Sequence, residues 1–319
     1  MAASFQGRDR RVSAAVCVAT FKRPELLAQL FEALSLLTFR KVAEPEITVV
    51  VVDNDPGQSA AETCRKARLP WRLKYAVEPR RGIAQARNRA LHEAGSADFI
   101  GFLDDDEVPA PGWLDELLAA QASFAADVVC GLVVPRFGAD VPAWVKTGKF
   151  FERPSRAAGT TPDTFSTNNA LVRGAVFASV HGFDERFSLT GGEDTQFFLR
   201  VRRAGFSIVF SDAAIVHEPV PASRGNLTWM LRRAYQGGNS WVLCELSLDG
   251  RRSIRMLRLL KACTRMAQGA CSACLSPLLG WVALVRALRT FCLGAGMLAA
   301  LAGHRFEPYQ QADMDPIGN

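Results

Sequence analysis

The sequence predicts an α/β protein: a doubly wound, mostly parallel sheet with helices on both faces, followed by a helical C-terminal segment that associates with a membrane. Three observations predict it. Short apolar runs alternate with segments of helical period along residues 12–134. The runs are apolar at every position, as strands buried on both faces must be. Finally, the formal charge of +6 comes wholly from the residues after 250, where Glu307, Asp313 and Asp315 are the only acids.

Taken in order, residues 12–19 form a first strand, and Pro24 opens a helix with Leu26, Leu27, Leu30, Phe31, Leu34 and Leu37 on one face. Residues 47–52, almost all β-branched, are a second strand. Residues 72–77 make a weaker third strand, 83–94 a helix, 99–103 a fourth strand and 113–124 another helix. Residues 127–134 extend the sheet, and 135–165, rich in Pro, Gly and Thr, cross as a loop toward a second half. There, 197–204 read as helix and 207–210 as strand. The domain boundary is expected at residue 240, dividing 1–240 from a basic, apolar helical region at 241–319.

In that region Arg251, Arg252, Arg255, Arg258, Lys261 and Arg265 alternate with Ile254, Leu257, Leu259 and Leu260, the pattern of a basic amphipathic helix lying in a membrane interface. Residues 278–301 are strongly apolar but carry Arg286 and Arg289. Each would cost about 2.5–3.5 kcal/mol at the centre of a span, which favours lying on the membrane over crossing it. An ordinary buried helical subdomain is the other reading. A basic excess confined to an apolar tail fits an anionic membrane surface and not nucleic acid.

The apolar run at 12–19 is short and leads into Thr20-Phe21-Lys22-Arg23 without a small-residue cleavage site, so it is a strand and not a signal peptide. The eight cysteines, scattered among apolar neighbours, read as reduced core residues of a cytosolic protein. Cys271 and Cys274 form a C-x-x-C pair without the further ligands that zinc needs, and are expected to pack in an apolar helix. The expected location is the cytoplasmic face of the inner (plasma) membrane, peripheral or monotopic.

In open α/β sheets, ligands bind beyond the carboxyl ends of the strands. The acidic clusters stand there: residues 49–52 run into Asp53-Asn54-Asp55, and 99–103 into Asp104-Asp105-Asp106-Glu107. Successive carboxylates repel one another, and a divalent cation reverses that balance. Hard oxygen ligands in a D-x-D arrangement suit Mg2+ or Mn2+, held by one or two carboxylates plus substrate phosphates. A solvated acidic loop is the plain alternative. A third cluster, Gly191-Gly192-Glu193-Asp194, opens a helix, where the dipole favours acids without any catalytic reason.

Together these motifs resemble glycosyltransferase family 2, inverting enzymes of the GT-A fold, and within it the bacterial exopolysaccharide-type β-glycosyltransferases. The resemblance spans residues 12–240 and rests on V-A-T-F-K-R-P-E-L-L at 18–27, V-V-V-D-N at 50–54, R-G-I-A-Q-A-R-N at 81–88, D-D-D at 104–106 and G-G-E-D-T-Q-F at 191–197. It implies that Asp53 bonds the nucleobase, that Thr20 and Arg23 line the nucleotide pocket, and that Arg87 and Asn88 support the nucleotide and the metal loop. Asp104, Asp105 and Glu193 would belong to the nucleotide-sugar site, with Asp106 the direct metal ligand and Asp194 the catalytic base.

Likeness to other GT-A enzymes makes His217 a further metal ligand, with a satisfied structural histidine as the alternative. Asn168 and Asn169 are candidate sugar contacts. Gln196 stands where many relatives would carry an acid, which leaves the acceptor contacts open. Arg232, Arg233 and residues 237–241 would close over the diphosphate as a basic lid, or else begin the membrane-facing helices. Trp113, Trp144 and Trp241 would stack on sugar rings or pack in the core.

The implied reaction is metal-dependent, inverting transfer of a hexose from a nucleotide diphosphate sugar, UDP-glucose-like, to an acceptor hydroxyl. The implied acceptor is a lipid-linked oligosaccharide in surface polysaccharide synthesis. A nucleotidyltransferase would instead want a glycine-rich loop after the first strand, where Thr20-Phe21-Lys22-Arg23-Pro24 has no glycine. A catalytically inactive membrane partner subunit of the same fold would have no need of three acidic motifs.

Overall fold

The structure, a computed structural model, describes residues 11–162 and 166–308. Its first half follows the expected alternation, with one short helix, α2, that was not expected: β1 (Ser13–Thr20), α1 (Pro24–Ser35), β2 (Glu46–Asp53), α2 (Ala61–Lys66), β3 (Arg72–Val77), α3 (Ile83–Ala94) and β4 (Phe99–Asp104). These strands are parallel and lie in the order β3-β2-β1-β4. The second half adds β5 (Val108–Pro109), α4 (Trp113–Phe124), β6 (Val128–Phe137), α5 (Ala143–Thr147), β7 (Ala170–Arg173), α6 (Gly174–Val180), α7 (Glu193–Arg203) and β8 (Ile208–Val220). The full eight-stranded order is β3-β2-β1-β4-β7-β6-β8-β5, with β7 antiparallel to both neighbours and β8 parallel to β6.

Three expectations for this half need correction. The supposed loop at 135–165 contains α5, and its residues 163–165 lie outside the described residues. The strand read at 207–210 runs on to Val220. The helix read from 197 begins at Glu193, so the acids of the third motif are its first turn.

Successive side chains of the central strands face opposite sides, and each side has its own core. Val16, Val18, Val49 and Val51 pack against Leu27, Leu30 and Leu34 of α1 and Trp113, Leu114 and Leu117 of α4. Cys17, Val50, Val52 and Phe102 pack against Ala86 and Ala90 of α3, Phe177 of α6 and Phe197 of α7. Period-two burial on both faces explains why the strands are apolar throughout.

The parallel register aligns the strand ends: Thr20 pairs with Asp53, and Ala19 with Asp104. Because β7 is antiparallel, it starts at this same edge, which brings Asn168 and Asn169 beside the turn that follows β4. Where β6 and β8 slip out of register, from Gly131 opposite Ser211 to Leu132 opposite Ile215, Asn169 fills the gap. A side chain on Gly131 would collide with it.

Three helices end the described chain: α8 (Leu227–Leu248), α9 (Arg252–Leu279) and α10 (Trp281–Leu301). The boundary expected at 240 falls inside α8, which runs unbroken; the chain breaks instead at Asp249–Arg251. The apolar stretch 278–301 is not one helix either, since Gly280 (φ 83°) turns the chain between α9 and α10. Small residues let these helices touch through their backbones. Gly238 of α8 meets the Leu293 backbone of α10, Gly296 meets the Tyr235 backbone, and Gly269 of α9 lies where a β-carbon would sit 2.6 Å from the Phe291 nitrogen. Residues 237–241 thus build a helix crossing and not a lid. Cys271 and Cys274 are exposed on α9, contrary to the packed position expected for them.

Candidate active site

The carboxyl edge of the parallel strands gathers the acids. Asp53 ends β2 fully buried; Oδ1 accepts from the Asp55 amide (3.0 Å), and Oδ2 from the Ala60 amide (2.7 Å) and the Tyr75 hydroxyl (3.1 Å). Its carboxylate ties the β2–α2 turn together, and a nucleobase would have to share it with these three donors. Thr20 donates to Asp105 Oδ2 (2.8 Å), and Arg23 donates to Asp105 Oδ1 (3.2 Å). The two residues expected to line a nucleotide pocket therefore grip Asp105 and lock the acidic turn to β1. Burial pushes the Asp105 carboxyl up to about 6 against the pull of Arg23.

Within the turn the four carboxyls have different surroundings. Asp104 is the open one, with 45% of its side chain accessible and Arg87 Nη2 3.2 Å from Oδ1. Asp106 is nearly buried, and its Oδ2 accepts from Arg224 Nη2 (3.0 Å). Glu107 turns back to accept from the Asp104 amide (2.9 Å) and from Asn168 Nδ2 (2.7 Å). Burial raises the Asp106 and Glu107 carboxyls, and the charge of Asp104 adds to it. Three arginines answer four carboxyls here, and two of them, Arg87 and Arg224, are shared with Glu193 and Glu218.

The third motif meets the second through one side chain. Gly191 and Gly192 (φ 69° and 92°) bend the chain into α7, and a β-carbon on Gly192 would press on Ser240 and Cys244 of α8. Glu193 is buried against Arg87; burial pushes its carboxyl up to about 7, and Arg87 opposes the rise. Arg87 thus spans Asp104 and Glu193, holding the start of α7 to the end of β4. Asp194, half-buried in the first turn of α7, accepts from the Thr195 amide (2.6 Å). Asn88 clamps Phe183 by its amide and its carbonyl (2.8 and 2.9 Å), supporting this assembly from behind.

Other expected residues are placed elsewhere. Asn169 is fully buried: Oδ1 accepts from Trp113 Nε1 (2.8 Å), and Nδ2 donates to the Ala214 (2.8 Å) and Leu132 (2.9 Å) carbonyls. It plugs the β6–β8 slip, and both it and Trp113 are fully buried. Gln196 is buried and accepts from Arg200 Nε (2.9 Å). Trp144 packs edge-on to Trp281 of α10. His217 pairs in register with Val108, two residues past Asp106, and its Nδ1 is buried without a hydrogen-bond partner. Burial and Arg136 pull its pKa down. No group of three or more His, Cys, Asp or Glu ligands gathers among the described residues.

Sequence reasoning missed Arg224 and Glu218, and it counted Glu107 in the acidic cluster without giving it a role. The signal for Arg224 was its place in a turn, Pro221-Ala222-Ser223-Arg224-Gly225, that leaves the strand bearing His217 at the same sheet edge.

Residues 15–179 match the model of the Glycosyl transferase family 2 family, and 99–303 match that of the Glycosyl transferase family group 2. The chain belongs to glycosyltransferase family 2. This transferase is 35% identical over 227 residues to the succinoglycan biosynthesis protein ExoM of Rhizobium meliloti (strain 1021), covering 70% of this chain and 72% of that one. It is 23% identical over 255 residues to a glucosyl-dolichyl phosphate glucuronosyltransferase of Haloferax volcanii, covering 74% and 78%. Among solved structures, the mannosyltransferase PcManGT from Pyrobaculum calidifontis, in complex with GDP-Man and Mn2+, superimposes with a TM-score of 0.57. It is 19% identical and covers 96% of this chain and 79% of that one. The transferase therefore has the GT-A fold, as the resemblance of its sequence motifs implied.

Proposed function

We propose that this transferase moves a hexose, with inversion, from a nucleotide diphosphate sugar to a hydroxyl of a lipid-linked glycan during surface polysaccharide synthesis. The observation that carries the reading is Arg87, which holds the open carboxylate of Asp104 and the start of α7 on one guanidinium. A donor lying across the acidic edge would have its sugar next to the first turn of α7. Asp194 there is the base: it takes the proton of the acceptor hydroxyl as that oxygen bonds the anomeric carbon from the face opposite the diphosphate. The bond from the anomeric carbon to the diphosphate oxygen breaks, and the nucleoside diphosphate leaves with the electron pair.

The donor set supports a divalent cation, Mg2+ or Mn2+. The turn carries hard carboxylates in excess of its arginines, and Asp106 with Asp104 would hold the ion, with the orphaned His217 Nδ1 facing the same strand pair. Two carboxylates are enough when substrate phosphates complete the shell. When bound, such an ion neutralises charge on the departing diphosphate. The Mn2+ beside GDP-Man in the Pyrobaculum enzyme supports the same reading. A UDP-sugar is our choice of donor, and the succinoglycan and dolichyl phosphate names of the relatives support a polysaccharide product and a lipid acceptor.

The C-terminal helices support work at the cytoplasmic face of an anionic membrane. Nine of the twelve exposed large hydrophobics among the described residues lie after residue 250, including Met256, Leu260, Leu275 and Leu278 (86% exposed). On α9 they lie at helical spacing opposite the Ala262, Gly269 and Ser276 stripe that faces α10, with Arg252, Arg255, Lys261 and Arg265 exposed alongside. α10 has the length and apolar character to cross a membrane. Yet its Arg286 donates to the Gly148 carbonyl (3.1 Å), and Arg289 lies over the Phe150 ring (5.1 Å). Both arginines bind α10 to the α/β domain, which favours a monotopic hairpin.

The test is nucleoside diphosphate release from a panel of sugar nucleotides, with membrane extract as acceptor, with and without Mn2+ or Mg2+. Release from one donor that needs both metal and extract is the expected result. Asp194→Asn should lower transfer by about 10²–10⁴ with donor binding kept; unchanged transfer would remove Asp194 as the base.

A further inference from the structure

The carboxylate best suited to hold a metal is already occupied by a cation of the chain itself. Arg224 lies on the turn between β8 and α8, and only 5% of its side chain is accessible. One arm of its guanidinium donates to Asp106 Oδ2 (3.0 Å) and the other to Glu218 Oε1 (3.1 Å). Arg23 Nη1 stands 3.9 Å from the same Asp106 oxygen. Neighbours fix the turn closely: a β-carbon on Gly225 would lie 3.2 Å from Pro142 and 3.3 Å from Val141. Glu218 is in turn 3.4 Å from Arg153, which also donates to Asn168, the residue that holds Glu107. The acidic turn and the two segments flanking it are thus linked by arginines.

A buried guanidinium needs an anion at every stage, because an uncompensated buried charge is strongly destabilising. A metal ion arriving alone at Asp106 would take one carboxylate from Arg224 and bring no anion to replace it. A metal ion arriving with a nucleoside diphosphate brings oxygens whose geometry suits the fork of an arginine. Glu218 keeps Arg224 anchored at the edge of the cleft while Asp106 changes partner.

We propose that Arg224 is a positioning residue that stands in for the metal on Asp106 in the donor-free enzyme and exchanges onto the donor diphosphate when metal and nucleotide bind together. This rests on the metal-dependent transferase reading above. Its consequence is synergy: metal and nucleoside diphosphate each strengthen the binding of the other by the same factor.

The experiment is a Mn2+ titration of the purified full chain, followed by the electron paramagnetic resonance signal of free Mn2+, with and without UDP. Wild type is expected to bind Mn2+ weakly alone and about tenfold or more tightly with UDP. Arg224→Gln is expected to bind Mn2+ alone about tenfold more tightly than wild type, to bind UDP more weakly and to lose the synergy. A residue with only a structural role would lower both affinities together, and that outcome overturns the proposal. Glu218→Gln, which takes one carboxylate from Arg224 and leaves the Asp106 pair in place, is expected to shift donor-free Mn2+ affinity the other way. It decides the matter if Arg224→Gln does not fold; unchanged or tighter donor-free Mn2+ binding in it also overturns the exchange. If wild type binds no Mn2+ even with UDP, or Asp106→Asn binds it equally well, the metal reading itself fails. Synergy in wild type with unchanged donor-free affinity in Arg224→Gln sinks the exchange alone.

Discussion

The α/β domain and the α9–α10 hairpin place the same kinds of side chain in opposite positions. In the domain, apolar residues lie in two cores either side of the sheet, and the charges up to residue 250 balance. On α9 the large apolar side chains and the bases are both outside, and the contact with α10 is made by Ala262, Gly269 and Ser276. Water imposes the first arrangement by the hydrophobic effect. Close backbone packing through small residues, with apolar side chains turned outward, is what helices adopt where the surroundings are themselves apolar. One chain thus carries two ways of placing apolar side chains, and α8 joins the two regions, since it packs on α10 and also presses on the turn that starts α7.

Thiol reactivity separates the two regions most widely. Burial pushes the Cys130 and Cys64 thiols up to about 12, so near pH 8 only about one molecule in 10⁴ carries either thiolate. Raising the pH from 7 to 9 favours ionisation but leaves both far below half ionised. Cys263, Cys271 and Cys274 are exposed on α9. In native protein, iodoacetamide should label these three and leave Cys64 and Cys130 unmodified, with rates differing by roughly 10³ or more. Anionic vesicles should then protect the α9 thiols; mass spectrometry of the labelled peptides reads both effects. Equal labelling with and without vesicles would break the comparison.

Charge removal tests the same helix. Replacing Arg252, Arg255, Lys261 and Arg265 together by glutamine should weaken partition onto anionic vesicles by about 10²–10³, since each base near such a surface contributes about 1 kcal/mol. Sedimentation with vesicles measures it, and Mn2+ and UDP binding in solution should not change. If partition persists on anionic vesicles and extends to neutral ones, the apolar residues suffice without the bases.

The parallel half of the fold was legible where β1, β2 and β4 are apolar runs and α1 and α3 keep a helical period; β3, which carries Arg72 and Lys74, read weakly, and the six-residue α2 did not read at all. The second half was less so, for local reasons. β7 is four residues long, and β8 carries Asp212 inside its span, where the slip against β6 leaves that residue exposed. In the site, the acids were legible from their position after the strands, but their partners were not. Arg224 and Glu218 reach the turn only through the β6–β8–β5 arrangement, which no local pattern states. The tail was legible in character but not in its break: the turn at Gly280 depends on a positive φ, and the helix crossings depend on glycines spaced along two helices.

The finest division lies within the α/β domain, between neighbouring asparagines. Asn168 donates to Glu107 and so belongs to the acidic turn, whereas Asn169 fills the slip between β6 and β8. Asn169→Ala would leave the Leu132 and Ala214 carbonyls and the Trp113 indole NH without their partner in the interior. Buried groups left unsatisfied cost about 1–3 kcal/mol each, relieved in part if water enters the gap. A net loss of about 2 kcal/mol, read by urea unfolding, is expected, with UDP affinity in the folded protein unchanged. The opposite pattern, intact stability with weakened UDP or donor binding, would return Asn169 to the sugar site that the sequence resemblance implied. Reduced stability together with unchanged nucleotide binding places it with the cores, as a polar plug that lets β8 continue toward His217 after its strand has slipped.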